Sequence, residues 1–205
     1  FENLILNNIG QYNSFILNLG NFMLPFTLLS VLLLTNSFNY FDGIDGSLSS
    51  TTISVLAILY FLVPNQNFQL FLIVILIPIS VFLCFNFSIF KLPKLFLGDS
   101  GSLLLGFTIS FILIYLANQQ SVHPILLAWS IVIFVYEFLS INIIRLKNKQ
   151  SPFKAGTDHL HHILFEKTKS IISTNLIMFF LNIALFLIGY IIFLLFNELV
   201  SLILF

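Results

Sequence analysis

The sequence predicts an all-α fold, a polytopic transmembrane helical bundle of about six spanning helices. Three observations lead there. Hydrophobic residues fill 59% of the 205 positions and charged residues only 8%, and the mean hydropathy of +1.06 lies outside the range of soluble globular domains. The apolar residues, 26 of them Phe, make segments that are apolar all round, as in helices facing lipid and each other, and lack the alternation of barrel strands. They also gather into runs near the roughly 20 residues that a spanning helix needs.

Those runs cover 22–41, 47–63, 68–90, 102–118, 123–144 and 172–196. The Asn-rich start (Asn3, Asn7, Asn8, Asn13, Asn18, Asn21) reads as an external loop or re-entrant lead-in. The second run is the weakest, because it opens Ser47-Leu-Ser-Ser-Thr-Thr, and Pro64 with Asn65-Gln66-Asn67 marks the turn after it. Cys84, the one cysteine, lies inside the third run, so no disulfide framework is expected. No basic n-region with a cleavage site opens the chain, so no signal peptide is read, and the start at Phe1 reads as that of a fragment. Residues 1–205 are taken as one transmembrane domain, the C-terminal portion of a larger multi-span enzyme.

Net charge is zero, which points to no nucleic-acid partner. Charge placement says more. The basic residues are Lys91 and Lys94 in one loop and Arg145, Lys147, Lys149, Lys154, Lys167 and Lys169 in another, and the positive-inside rule puts both in the cytoplasm. Counting crossings back from the first loop puts Asp42 and Asp45 on that face too. Three polar segments far apart in sequence thus meet at one membrane surface, as a site between helices requires.

The first segment, Asn36-Ser-Phe-Asn-Tyr-Phe-Asp-Gly-Ile-Asp-Gly46, ends a membrane run with two carboxylates and two carboxamides. Ionisable groups at such depth are costly and mark function. Asn36, Asn39 and Asp42 share one face of a continuing helix, and Gly43 and Gly46 let Asp45 approach; such oxygen ligands suit Mg²⁺. The bland alternative is a capped helix end followed by a glycine turn. The second segment, Leu95-Phe-Leu-Gly-Asp-Ser-Gly-Ser102, offers Asp99 as a metal oxygen, Gly98 and Gly101 for close anion approach, and Ser100 or Ser102 as cap of a helix starting at Leu103. A plain capping turn is its alternative. The third, Ser151-Pro-Phe-Lys-Ala-Gly-Thr-Asp-His-Leu-His-His162, lacks a cysteine or carboxylate at zinc-site spacing, and on a helix His159 and His161 would point apart. Phosphate binding or proton handling suits His159, His161 and His162 beside cations better, with a solvated charged loop as the alternative. His123, before Pro124, reads as structural. Glu137, inside a spanning run, is expected to face the bundle interior in an ion pair or hydrogen bond.

In this order and with these helices between them, NSFNYFDGIDG, FLGDSGSLLLGF and SPFKAGTDHLHH resemble the polyprenyl-phosphate N-acetylhexosamine-1-phosphate transferase family (glycosyl transferase family 4). The His-Leu-His-His form is similar to the bacterial undecaprenyl-phosphate N-acetylglucosamine-1-phosphate transferase branch. The resemblance implies transfer of a sugar 1-phosphate from a UDP-N-acetylhexosamine to a polyprenyl phosphate, with release of UMP, as the first membrane step of cell-envelope glycan synthesis. It implies a multi-pass protein of the bacterial inner membrane with a cytoplasmic site, requires Mg²⁺ with Mn²⁺ as a substitute, and leaves a homodimer open. By residue, it implies Asn39 and Asp99 as metal ligands; Asp42, Asp45, His159, His161 and His162 as catalytic; and Asn36, Gly98 and Arg145 as substrate-binding. Within that division Asn36, Asp42 and Asp45 shape the nucleotide and metal pocket, and Arg145 with the histidines neutralises phosphates.

Several positions depart from the family. An Asp-Asp motif of an earlier loop, assigned to activating the lipid phosphate, has no counterpart, and the helices upstream of it are missing. Gly156-Thr157 stand where relatives commonly carry Asp-Arg, Glu137 stands where an Asp is usual, and the last apolar run ends at Phe205 without a clear final loop. The parent protein is accordingly expected to be an active transferase, while this stretch alone is expected to be inactive. Two other readings stand beside it. A truncated, non-catalytic paralogue would bind lipid or a partner, and an ion-coupled transporter would line a path with Asp42, Asp45 and Asp99.

Overall fold

A computed structural model describes residues 4–151 and 159–205 of the chain. The chain opens with a hairpin, β1 (Asn8–Tyr12) antiparallel to β2 (Phe15–Asn18). Asn8, Asn13 and Asn18 of the Asn-rich start thus belong to a β-hairpin, a regular element that the asparagines did not announce. Asn13, at φ 51°, makes the left-handed turn that Asn tolerates better than most residues. Polar side chains tie the hairpin to one end of the bundle: Asn118 Nδ2 donates to the Ile5 carbonyl at 2.8 Å, and Leu6 N–H donates to Thr27 Oγ1 at 2.9 Å. His123 Nε2 meets the Gln11 carbonyl at 2.9 Å, while its Nδ1 accepts from Ile125 N–H, which is the structural role expected of it.

The helices follow as α1 (Met23–Phe41), α2 (Ser47–Leu62), α3 (Gln66–Asn86), α4 (Gly98–Asn118), α5 (Pro124–Ser130), α6 (Val132–Lys147), α7 (Leu160–Thr168), α8 (Ile171–Leu195) and α9 (Glu198–Leu204). All six apolar runs are helical. Four of them are long and apolar enough to cross a membrane alone: Gly20–Phe41, Gln66–Asn86, Gly98–Asn118 and Ile171–Leu195. The Asn65 side chain accepts from Asn67 and Phe68 N–H and so starts α3 just after the turn read from Pro64.

The other two runs differ from straight crossings. α2 has 16 residues, about 24 Å at the helical rise, and is buried along most of its length. Its Ser47, Ser49, Thr51, Thr52 and Ser54 are all buried, and Thr51, Thr52 and Ser54 bond to carbonyls of their own helix. Small hydroxylated residues of this kind let neighbouring helices approach closely. The polar opening that weakened α2 as a lipid-facing span is what suits it to a position inside protein.

The run 123–144 is broken, with α5 and α6 meeting at 71°. Ile131 leaves helical geometry there (φ −113°, ψ 16°). Backbone groups released at membrane depth must find partners inside the protein; Asn182 of α8 supplies one, donating to the Ser130 carbonyl at 3.1 Å and to Ser54 Oγ at 2.9 Å. Between these elements lies the apolar core. Phe134 stacks on Phe38 with ring centroids 4.1 Å apart and tilts against Phe41 at 4.3 Å, so α6 is locked onto the last turns of α1. A Cβ on Gly106 would meet Thr35 Cα at 2.7 Å, so α4 lies backbone-close along α1.

Candidate active site at the end of the bundle

The far end of the bundle from the hairpin gathers the polar segments. α1 stops at Phe41, and Asp42 (φ −83°, ψ 37°) is already outside the helix. Asn36, Asn39 and Asp42 therefore do not form one continuous face. Asn36 Nδ2 donates to the Leu32 carbonyl of its own helix at 2.6 Å. Asn39 reaches across: its Nδ2 donates to Asp99 Oδ1 at 3.1 Å and to Ser102 Oγ at 2.9 Å. α4 begins at Gly98, five residues before the expected Leu103. Ser102 is thus buried within the helix, where its hydroxyl donates to the Asp99 carbonyl at 3.0 Å and does not cap. Asp99 occupies the first turn, where the helix dipole favours a carboxylate.

Asp45 pairs with Lys94 at 2.5 Å, and its carbonyl accepts from Asn175 Nδ2 of α8 at 2.7 Å. This ties the Asp42–Gly46 turn to the loop before α4. Burial raises Asp42 to about 6, Asp99 and Asp45 push in the same direction, and a hydrogen bond from the Gly98 backbone opposes them. The Asp99 and Asp45 carboxylates thus sit close enough to raise the cost of ionising Asp42, a condition that a cation relieves. Among the described residues, no three His, Cys, Asp or Glu side chains are grouped to hold a metal by themselves. The carboxylates of Asp42, Asp45 and Asp99 and the amide of Asn39 are hard oxygen donors, a chemistry that would suit an ion which keeps several of its waters.

The histidine segment closes the other side. His159 precedes α7 in extended backbone (φ −75°, ψ 148°), so His159 and His161 do not diverge as they would within one helix. Their rings lie nearly parallel (14°) with centroids 5.5 Å apart. Both face Glu137 of α6, whose Oε1 is 3.3 Å from His159 Nδ1 and 3.8 Å from His161 Nδ1. The carboxylate that linear spacing could not supply comes from another helix. Oε1 also accepts from Leu160 N–H at 3.0 Å, and Glu137 is only 5% exposed, the inward partnering expected of it. Burial, with His162 and His159 alongside, lowers His161 to about 3, so it is neutral at ordinary pH.

On their other edge the imidazoles meet Gly43. A Cβ there would come within 2.5 Å of His161 Nε2 and 2.8 Å of His162 Nε2, so only glycine lets the Asp-Gly turn pack onto the histidines. Arg145, buried at the end of α6, sits over the Tyr40 ring at 5.8 Å, and Tyr40 meets His159 edge-on at 5.1 Å. Residues 152–158, with Lys154, Gly156 and Thr157, lie outside the described residues.

The described residues of all three sequence motifs are thus brought to one bundle end, with Asn36 a turn back on α1. Tyr40 and Asn175 join them without having been singled out from the sequence, while Lys94 and Ser102, read there as a loop cation and a helix cap, pair with Asp45 and Asn39. Asn175 carried a signal, as a carboxamide inside an apolar run; Tyr40 stood within the first motif, where nothing but its place beside Asn39 marked it.

The fold and this end together define a multi-pass helical membrane protein with a site of acids, amides and imidazoles where its helices terminate. The profile of glycosyl transferase family 4 matches residues 2–117, and the chain belongs to that family. It is 29% identical over 171 residues to an undecaprenyl-phosphate alpha-N-acetylglucosaminyl 1-phosphate transferase of Escherichia coli O157:H7, covering 80% of this chain and 47% of that protein. It is 30% identical over 168 residues to the protein of the same name from Yersinia pestis, covering 78% and 46%. To a probable undecaprenyl-phosphate N-acetylglucosaminyl 1-phosphate transferase of Bacillus subtilis (strain 168) it is 32% identical over 149 residues, covering 71% and 41%. The chain spans about half the length of the curated relatives it matches.

Proposed function

We propose that the protein containing this chain transfers N-acetylhexosamine 1-phosphate from a UDP-sugar to a polyprenyl phosphate at the cytoplasmic face of the bacterial inner membrane. The observation that carries this reading is the meeting of three separate motifs at one bundle end, seen in the Asn39–Asp99 contact and the packing of Gly43 on His161 and His162. The names of the matched relatives support it, both for the lipid phosphate and for the transferred group.

In the proposed reaction an oxygen of the lipid phosphate attacks the β-phosphorus of the UDP-sugar. The bond from that phosphorus to the bridging oxygen breaks, and UMP leaves with the oxygen. Catalysis of such a step rests on positioning and charge neutralisation. Asn39 and Asp99 would hold Mg²⁺; with Asn39 Nδ2 turned to Asp99 and Ser102, its amide oxygen is the atom left to ligate. Mg²⁺ would supply neutralisation and alignment of the diphosphate. Asp42 and Asp45 shape the pocket wall, with Lys94 holding Asp45 in place. Arg145 is a fixed positive charge beside Tyr40, and His162, next to His161 in the same turn, can donate to a phosphate oxygen.

Membranes carrying the full-length protein are expected to convert UDP-N-acetylhexosamine and polyprenyl phosphate into polyprenyl-diphosphate sugar and UMP when Mg²⁺ is added. Equal product with and without divalent cation would remove the metal from this reading. No product from any UDP-sugar would remove the reaction.

A further inference from the structure

We propose that Glu137 is a positioning residue for the proposed transfer, holding the histidine turn against the Asp42–Gly43 turn from the side opposite Gly43. The proposal rests on the transfer proposed above, with His162 as the phosphate donor and His161 as the neutral imidazole that holds the turn beside it. Its basis is the placement of a single oxygen. Glu137 Oε1 accepts the Leu160 N–H at 3.0 Å, the first of α7, and faces both His159 Nδ1 at 3.3 Å and His161 Nδ1 at 3.8 Å. The Nε2 atoms of His161 and His162 are meanwhile pressed toward Gly43. The imidazole of His161 is thus set between a carboxylate on its Nδ1 edge and the Asp-Gly turn on its Nε2 edge.

Capping alone does not account for this arrangement. His159, at the N-cap of α7, makes no side-chain capping bond, and a local Ser, Thr or Asp at that position would cap without burying a charge. Here the cap comes from a carboxylate that is 5% exposed and sits on another helix. Taking a carboxylate out of water costs more than a helix cap returns. At 3.8 Å from His161 Nδ1 the carboxylate is beyond hydrogen-bond reach, but in a buried setting its charge still favours the tautomer of the neutral imidazole that carries the proton on Nδ1. For His161 that leaves the Nε2 lone pair directed at the Asp-Gly turn.

The test uses the full-length protein in nanodiscs, with ¹⁵N-labelled histidine read by long-range imidazole correlation spectra and product formation measured in parallel. Wild type is expected to show His161 as the neutral Nδ1–H tautomer. Glu137→Gln and Glu137→Ala are expected to move His161 away from that state and to lower kcat at least tenfold, whereas Glu137→Asp retains the Nδ1–H signature. Gln keeps the size of the side chain and an acceptor for Leu160, so Glu137→Gln carries the test if Glu137→Ala does not fold. An unmoved His161 tautomer in Glu137→Gln overturns the proposal whatever the rate, and so does a moved tautomer with kcat within twofold of wild type. If wild type forms no product at all, the transferase reading fails, and the tautomer comparison still decides whether Glu137 sets the imidazole.

Discussion

Asn39 of α1 and Asp99 of α4 meet at 3.1 Å, joining residues 60 positions apart in sequence at the ends of two helices that pack backbone to backbone through Gly106. A shift of either helix end would part them. The proposed metal position is therefore fixed by helix packing, while each of the two side chains is set on the first or last turn of a helix.

Asp99→Ala is accordingly expected to abolish product formation in membranes carrying the full-length protein. Asn39→Ala should reduce it by roughly 10- to 100-fold and raise the Mg²⁺ concentration needed for half-maximal rate. A Mg²⁺ titration of both variants checks this; an unaltered titration curve for Asn39→Ala would take Asn39 out of the metal site.

Gly43→Ala places a methyl group where His161 Nε2 and His162 Nε2 lie within 2.8 Å. Overpacking of this kind costs about 1–3 kcal/mol, and here it would separate the Asp42 turn from the histidines. The expected outcome is a lower melting temperature together with a loss of turnover, measured on the same purified preparation.

Asn182→Leu removes the donor to the Ser130 carbonyl at the break between α5 and α6 and to Ser54 of α2. A buried acceptor left unsatisfied costs about 1–3 kcal/mol. Thermal unfolding in detergent should show that loss, while the Mg²⁺ dependence of turnover stays that of the wild type, because the break lies away from the site. A melting temperature equal to wild type would mean that another group serves the Ser130 carbonyl.

The pH dependence of stability carries two opposite contributions in metal-free protein. His161 binds its proton with a folded pKa near 3, against an ordinary 6.5, so between those values the unfolded chain holds the proton that the fold excludes. Its contribution is complete above about 6.5 and is lost as pH falls toward 3. Asp42, raised from 3.8 to about 6, binds its proton more tightly in the fold, so its contribution is present below 3.8 and is lost as pH rises through 6. Stability curves from pH 4 to 7 should accordingly lose their acid-side decline in His161→Gln and steepen that decline in Asp42→Asn.

Much of the fold was legible because transfer into lipid is a local property: a run of apolar residues is long enough or it is not. The helices Met23–Phe41, Gln66–Asn86, Gly98–Asn118 and Ile171–Leu195 follow from run length, and the three motifs follow from polar groups placed at the ends of such runs. The positions of Asp42, Asp99 and the histidines at one end also followed, since counting crossings needs only the runs and the lysines and arginines between them.

What hydropathy could not give is where a polar group finds its partner. Ser47 to Ser54 look like a poor span until α2 is seen enclosed by protein. The break at Ile131 has no glycine or proline to announce it, and is stabilised by Asn182, 51 residues along the chain from Ile131. His159 and His161 diverge on an ideal helix but face the same Glu137 oxygen once α7 starts after His159. Run lengths and charge placement were enough for a multi-pass helical membrane protein with acids, amides and histidines gathered at one bundle end. Only the tertiary structure decided which helix is enclosed, which is bent and which carboxylate faces the histidines, because burying a polar group is governed by a partner that lies far away in sequence and close in space.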